Sequence, residues 1–294
     1  MDITVFIDET GDLLNPAETA HFGFGFVYLP KKSVPDAENL LLSRGLWKIH
    51  VKDLPYLDKK AIARQVANCG LHKLGLHGGA AIEPRGVRAK EFMMSELSKR
   101  ILDNPELIIK AIPKHKRWRH LKNKAILTPN DLFSKVREDA RLTEFALHAI
   151  RIPIVKSMHA FGAINHLNFE VFFSASSNAK AFAKRFQTVI GPELSTGFFE
   201  FLEALWKKGG HPGSPRDYIK IKCAVVESSE GLIGLADLLG AVGHHLWNQE
   251  IEPSRKLGSE LYETLSCLFP EPPLHDWECR PGIFFIRRDE IAPK

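Results

Sequence analysis

The sequence predicts an α/β protein built on a mixed five-stranded sheet flanked by helices, and three observations predict it. Two strand-like runs, residues 3–7 and 22–29, open the chain and are separated by a short loop, so they pair most simply as a hairpin. From residue 107 onward, apolar runs of strand length alternate with helical segments, the pattern of a parallel sheet with covering helices. Between these two parts lies a polar stretch, residues 36–105, that reads as a helical insertion between strands two and three. No clean linker, repeat or low-complexity tract divides the 294 residues, so a single domain spanning 1–294 is expected.

The first strand, Ile3-Thr4-Val5-Phe6-Ile7, is β-branched and aromatic and ends in three carboxylates, Asp8, Glu9 and Asp12. Like charges this close repel and lose hydration at the end of a buried strand. A divalent cation with oxygen ligands offsets both costs, and Gly11 can turn the chain so that Asp12 comes back toward Asp8. An Asp- and Gly-rich turn to the next strand accounts for the same residues. In the second strand, Gly23 and Gly25 leave one face thin enough for a helix or another backbone to approach.

Helices are expected at about 37–44, 57–72 and 88–102, broken around 48–55 and again at 75–86. A third strand at 107–113 leads into the most basic part of the chain, Lys114-His115-Lys116-Arg117-Trp118-Arg119-His120-Leu121-Lys122. Lys114, Lys116, Arg117 and Arg119 read as a phosphate-gripping loop, with Trp118 able to stack on a base. A solvated charged loop whose tryptophan packs on the core is the plainer account. Helical sequence follows to about residue 161, carrying Glu138, Asp139 and Glu144, with Pro153 kinking or dividing it. The fourth strand is 167–174, with Glu170 inside an apolar run. Lys180, Lys184 and Arg185 share one face of the next helix, most simply a solvated one. A helix over 198–207 and a fifth strand over 218–226 come next.

Ser228 or Ser229 then caps a helix that is apolar almost all round, with Asp237 the only charge between Glu230 and His244. The neighbours of Asp237 at three and four residues are Ile233, Gly234, Gly240 and Ala241, a mostly small face that permits close approach to another element. Once buried, this carboxylate needs a partner: a metal, a buried arginine or a backbone donor. A helix over 255–268, a proline-rich turn and a last strand at 282–286 complete the chain.

Bulk properties exclude several classes. With 44% hydrophobic and 26% charged residues the composition is that of an ordinary globular protein. A net charge of +5 permits contact with a polyanion without requiring it. Four scattered cysteines, none in a Cys-x-x-Cys pair, fit reduced thiols rather than a disulfide scaffold. No basic-then-apolar leader and no apolar run of membrane-spanning length is found, so a cytoplasmic protein that uses no membrane is expected. Neither a Walker-type loop, nor a dinucleotide fingerprint, nor a serine-nucleophile elbow occurs, and Cys69, His72 and His77 lack structural-zinc spacing.

Two end motifs carry a resemblance. Asp8-Glu9-Thr10-Gly11-Asp12 at the end of the first strand, and Gly234-Leu235-Ala236-Asp237 on a serine-led helix, resemble the Asp-Glu-Ser-Gly-Asp and Gln-Leu-Ala-Asp motifs of the domain of unknown function 3800 family. His50-Val51-Lys52-Asp53-Leu54 is similar to that family's short His-x-x-Asp-Leu segment. The resemblance implies a ribonuclease H-like order: three strands, the first two a hairpin, then alternating helix and strand. It implies a two-metal nuclease acting on the phosphodiesters of RNA or DNA, with Mg²⁺ or Mn²⁺ held by Asp8, Asp12 and Asp237. Glu9 and Glu144 would complete the catalytic set and His50 could shuttle a proton. The sequence departs from the family where a carboxylate is expected near the end of the fourth strand, because Ser174 and Ala175 stand there. Glu170, Glu144 or Glu227 would have to substitute for it. Otherwise the alternative is a catalytically impaired nucleic-acid-binding module of the same fold.

Overall fold

The computed structural model describes residues 1–11, 21–51, 54–84, 152–158, 160–161, 167–174, 203, 207, 213–226, 230–251, 256–269 and 278–285. Its centre is a mixed seven-stranded sheet. The strands are β1 (Asp2–Gly11), β2 (His21–Pro30), β3 (His77–Pro84), β4 (Leu167–Ser174), β5 (Ile219–Val226), β6 (Glu278–Arg280) and β7 (Ile283–Phe285), in the order β5-β4-β1-β2-β3-β7-β6. The expected hairpin is present: β1 and β2 run antiparallel from Ile3 opposite Pro30 to Gly11 opposite Phe22. β3 continues that meander on β2, while β4 joins β1 in parallel and β5 joins β4 in parallel. The carboxyl ends of β1, β4 and β5 therefore lie at one edge of the sheet. Sites in open α/β sheets form at such an edge.

The helices divide between the two faces. One face carries α1 (Val34–Ser43), α2 (Tyr56–Asn68), α4 (Leu232–Ile251) and α5 (Leu257–Thr264); residues 152–158, α3, cover the other. Strand alternation builds both cores. Ile3, Val5 and Ile7 point toward α3 with Phe24, Phe26 and Tyr28, whereas Phe6, Val27 and Leu29 point toward α4. The all-round apolar pattern of α4 has its cause in this burial, since Leu232, Leu235, Leu238, Leu239 and Val242 are all enclosed.

Helix α4 packs unusually close to β2. A methyl group at Gly25 would stand 1.9 Å from the Ala236 carbonyl and 2.3 Å from the Gly240 nitrogen. The expectation of a close approach over Gly25 is met, and α4 is the element that makes it.

Two expectations need correction. The sheet has seven described strands rather than five, and β3 falls at residues 77–84, inside the stretch 36–105 expected to be a helical insertion. Helical structure between β2 and β3 ends at Leu74. His77-Gly78-Gly79-Ala80-Ala81 lacks the branched residues that announce a strand. Close neighbours require the glycines on both faces: a methyl group at Gly78 would lie 2.4 Å from Leu239 of α4, and one at Gly79 would lie 2.2 Å from the Gly282 carbonyl. The strand expected at 107–113 and the helices expected at 88–102 and 179–189 lie outside the described residues. No described helix is long and apolar enough to cross a membrane.

A buried ion pair joins α3 to the far edge of the sheet. The Lys156 ammonium meets the Glu278 carboxylate with side-chain exposures of 2% and 0%, and it lies 5.5 Å from the centre of the Phe284 ring. Burial pulls the lysine below its ordinary range while the Glu278 contact pushes back. Glu278 also accepts the Gly282 N–H.

Two stability predictions follow from this packing. Gly25→Ala forces backbone against backbone and should destabilise the protein by about 2–4 kcal/mol in denaturant unfolding. Lys156→Met alone leaves Glu278 buried without its cation and should cost about 3–5 kcal/mol, whereas Lys156→Met with Glu278→Leu should recover most of that loss.

Candidate functional site

Asp8 is the first residue of β1 beyond its parallel pairing with β4, which ends at Ile7, and the pleat turns it to the α4 face, in line with Thr4 and Phe6. In register it stands opposite Gly25, the residue on which α4 rests. Asp237 follows Ala236, the residue whose carbonyl touches Gly25, so the helix delivers it beside Asp8. Two carboxylates from opposite ends of the chain thus meet at the carboxyl edge of β1.

Their electrostatics show the cost. Burial first, and then the Asp237 charge, push the Asp8 carboxyl up to about 7, with a further rise from Glu9. Hydrogen bonds from the Ser174 hydroxyl and the Glu9 backbone, the latter at 2.9 Å to Oδ1, oppose the rise without cancelling it. Asp237 is 13% exposed and accepts the Val51 backbone N–H at 3.0 Å on Oδ2. Nδ1 of His50 stands 3.6 Å from the same oxygen. The backbone donor anticipated for this carboxylate is present, and it comes together with a facing carboxylate.

The segment that supplies Val51 is pinned to α4 at a second place. The Trp47 indole N–H donates to Glu230 at 2.8 Å, and Gly231 N–H donates to the Trp47 carbonyl at 2.6 Å. Gly231 holds φ +61°, and a side chain there would press into the Trp47 ring. His50 and Val51 were singled out from the sequence. Trp47 and Glu230 were not, although the alternation of residues 47–51 could have marked an extended ribbon.

The remaining sequence-predicted residues sort clearly. Glu9 follows Asp8, so the pleat sends its carboxylate to the opposite face, and only its charge and its backbone N–H reach Asp8. Glu170 is removed from the site by register: it pairs with Thr4, four residues before Asp8, and binds Lys31 at 2.7 Å. Ser174 occupies the β4 end beside Asp8 and offers a hydroxyl where a carboxylate was expected. Asp12, Glu144, Glu227 and the basic residues Lys114, Lys116, Arg117, Trp118 and Arg119 lie outside the described residues.

Among the described residues no group of three or more His, Cys, Asp or Glu side chains is arranged to hold a metal. Mg²⁺ asks less of a protein, because one or two carboxylates suffice when water and substrate phosphates complete the shell. Asp8 and Asp237 are hard oxygen donors held together against their own repulsion, and that donor set fits such an ion. The sequence matches no family model and no curated protein.

Asp8 gives a pH dependence. Its folded-state value lies above the ordinary 3.8, so between about pH 4 and pH 7 the folded protein keeps a proton that the unfolded chain gives up. Stability from this group is fully present below that window and is lost as pH rises through 7. Asp8→Asn should therefore melt higher than wild type at pH 8, by roughly 1–3 kcal/mol of stability, with the gap closing toward pH 4. Thermal melts at both pH values without divalent ions check it.

Proposed function

We propose that this chain is a divalent-metal-dependent nuclease of the ribonuclease H-like type, akin to the domain of unknown function 3800 family. The observation that carries the reading is the meeting of Asp8 and Asp237 at the carboxyl edge of the parallel strands. Further support comes from the connectivity, an antiparallel meander β1-β2-β3 followed by β4 and β5 parallel to β1. The His50–Val51 segment, part of the third motif in the resemblance, contacts Asp237.

Asp8 and Asp237 would hold Mg²⁺ or Mn²⁺, with Asp12 as the further candidate ligand. A metal bound there would supply a water of lowered pKa as nucleophile and would offset charge on the leaving oxygen of the phosphodiester. The protein's own contribution is placement. The Val51 N–H fixes one oxygen of Asp237, the Glu9 N–H and the Ser174 hydroxyl fix Asp8, and His50 stands beside the pair where a proton can be passed. Lys114, Lys116, Arg117 and Arg119 would grip flanking phosphates of RNA or DNA, with Trp118 stacking on a base.

Ser174 favours a second reading, a nucleic-acid-binding module of the same fold that has lost catalysis. A hydroxyl bonded to Asp8 neither adds negative charge nor supplies an anionic ligand.

Cleavage of labelled single-stranded RNA, duplex DNA and RNA–DNA hybrid with Mg²⁺ or Mn²⁺ separates the two. Wild type should cut at least one substrate, and Asp8→Asn and Asp237→Asn, each shown to be folded, should lose at least about 100-fold of that rate. Equal rates in all three proteins would sink the nuclease reading. Salt-dependent binding by wild type without cleavage would establish the binding module.

A further inference from the structure

Residues 47–51 run along the first turns of α4 as a strap that bends at Trp47 and Lys48 and has two distinct faces. Trp47, Ile49 and Val51 turn inward, with Ile49 and Val51 fully enclosed. Lys48 and His50 turn outward, with side chains 80% and 63% exposed. We infer that this strap is a phosphate-binding arm, with Lys48 and His50 contacting successive phosphates of a single nucleic-acid strand as it enters the Asp8–Asp237 site. The inference rests on the nucleic-acid reading above and adds a substrate contact that the basic loop at 114–119 does not include.

Geometry supports it. Cα atoms two residues apart in a non-helical chain lie at most about 7 Å apart, close to the spacing of neighbouring phosphates along a strand. The arm is pinned at both ends, at Trp47 by Glu230 and Gly231 and at Val51 by Asp237, so its two outward groups are placed before substrate arrives. The pin at Val51 is on a catalytic carboxylate itself, which fixes the distance from arm to reacting centre. Lys48 meets Glu230 at 3.3 Å, but both partners are exposed, and such a pair is weak enough to exchange for a phosphate. At His50 the Nδ1 edge faces Asp237, leaving Nε2 on the far side of the ring for a phosphate oxygen.

The test uses the full chain, with Ca²⁺ in place of Mg²⁺, and fluorescence anisotropy of labelled single-stranded RNA and DNA across a salt series. Lys48→Gln should weaken binding about 3- to 10-fold and flatten the slope of log K against log salt by about 0.7, the loss of one phosphate contact. His50→Asn should weaken it by a similar factor. Trp47→Phe keeps every charge but removes the pin to Glu230, and should also weaken binding about 3-fold. Lys32→Gln is the control for net charge. It lies past Pro30, which pairs with Ile3 at the end of β1 away from Asp8, and should change nothing. Lys48→Gln binding like Lys32→Gln, whether both are normal or both are weakened, overturns the arm and leaves the nuclease reading standing. A wild type that neither binds nor cuts any substrate overturns both.

Discussion

Helix α4 crosses β2 at a place where neither element has a side chain in the way. Gly25 and Gly240 face one another there, backbone against backbone. This contact fixes how deep the helix sits and how it is rotated about its axis. Because Asp8 is opposite Gly25 in the hairpin register and Asp237 is next to Ala236, the same contact sets the separation of the two carboxylates. A helix standing off by the thickness of one methyl group would leave Asp237 short of Asp8. The small-residue face of α4 and the thin face of β2 are two halves of one constraint.

The meeting of two acids is unfavourable in itself. Burial and mutual repulsion raise Asp8; the Ser174 hydroxyl and the Glu9 N–H on Asp8, and the Val51 N–H on Asp237, soften the cost without removing it. Titratable groups perturbed by burial plus a specific charged neighbour concentrate at functional sites. A second buried charge cluster among the described residues behaves differently. Lys156 and Glu278 are of opposite sign and satisfy one another across the α3 face, tying the short β6–β7 edge to the sheet. One face of the sheet therefore holds a pair of opposite charges and the other a pair of like charges, and the like-charged pair lies at the carboxyl edge.

The strap between α1 and α2 links chain segments that sequence order keeps far apart. Its Trp47 and Val51 take partners seven residues apart, Glu230 just before α4 and Asp237 within it, so strap and helix are matched along about two turns. Its alternation of buried and exposed residues is that of a strand, although it joins no sheet. The backbone N–H of Val51, which a strand would give to a neighbouring strand, goes to Asp237 instead.

Much of this was legible in the residues. The hairpin, β4, β5 and α4 are runs of strong local pattern; Asp8 stands out as the first of three carboxylates closing an apolar run, and Asp237 as a lone charge in an apolar helix. β3 was not legible, since its glycines are required by close neighbours, Leu239 of α4 at Gly78 and the Gly282 carbonyl at Gly79, and carry no strand preference of their own. Nor could sequence exclude Glu170, a carboxylate of the right type on the right strand. Pairing with β1 puts it level with Thr4, one stretch of strand away from the site, and gives it Lys31. Residue type and periodicity are local properties, and they determined which segments are strands, which helix is buried and which acids are out of place. Register, and the depth to which a helix settles on a sheet, depend on contacts between distant segments. Only the tertiary structure decided that Asp8, Asp237, His50 and Ser174 share one site.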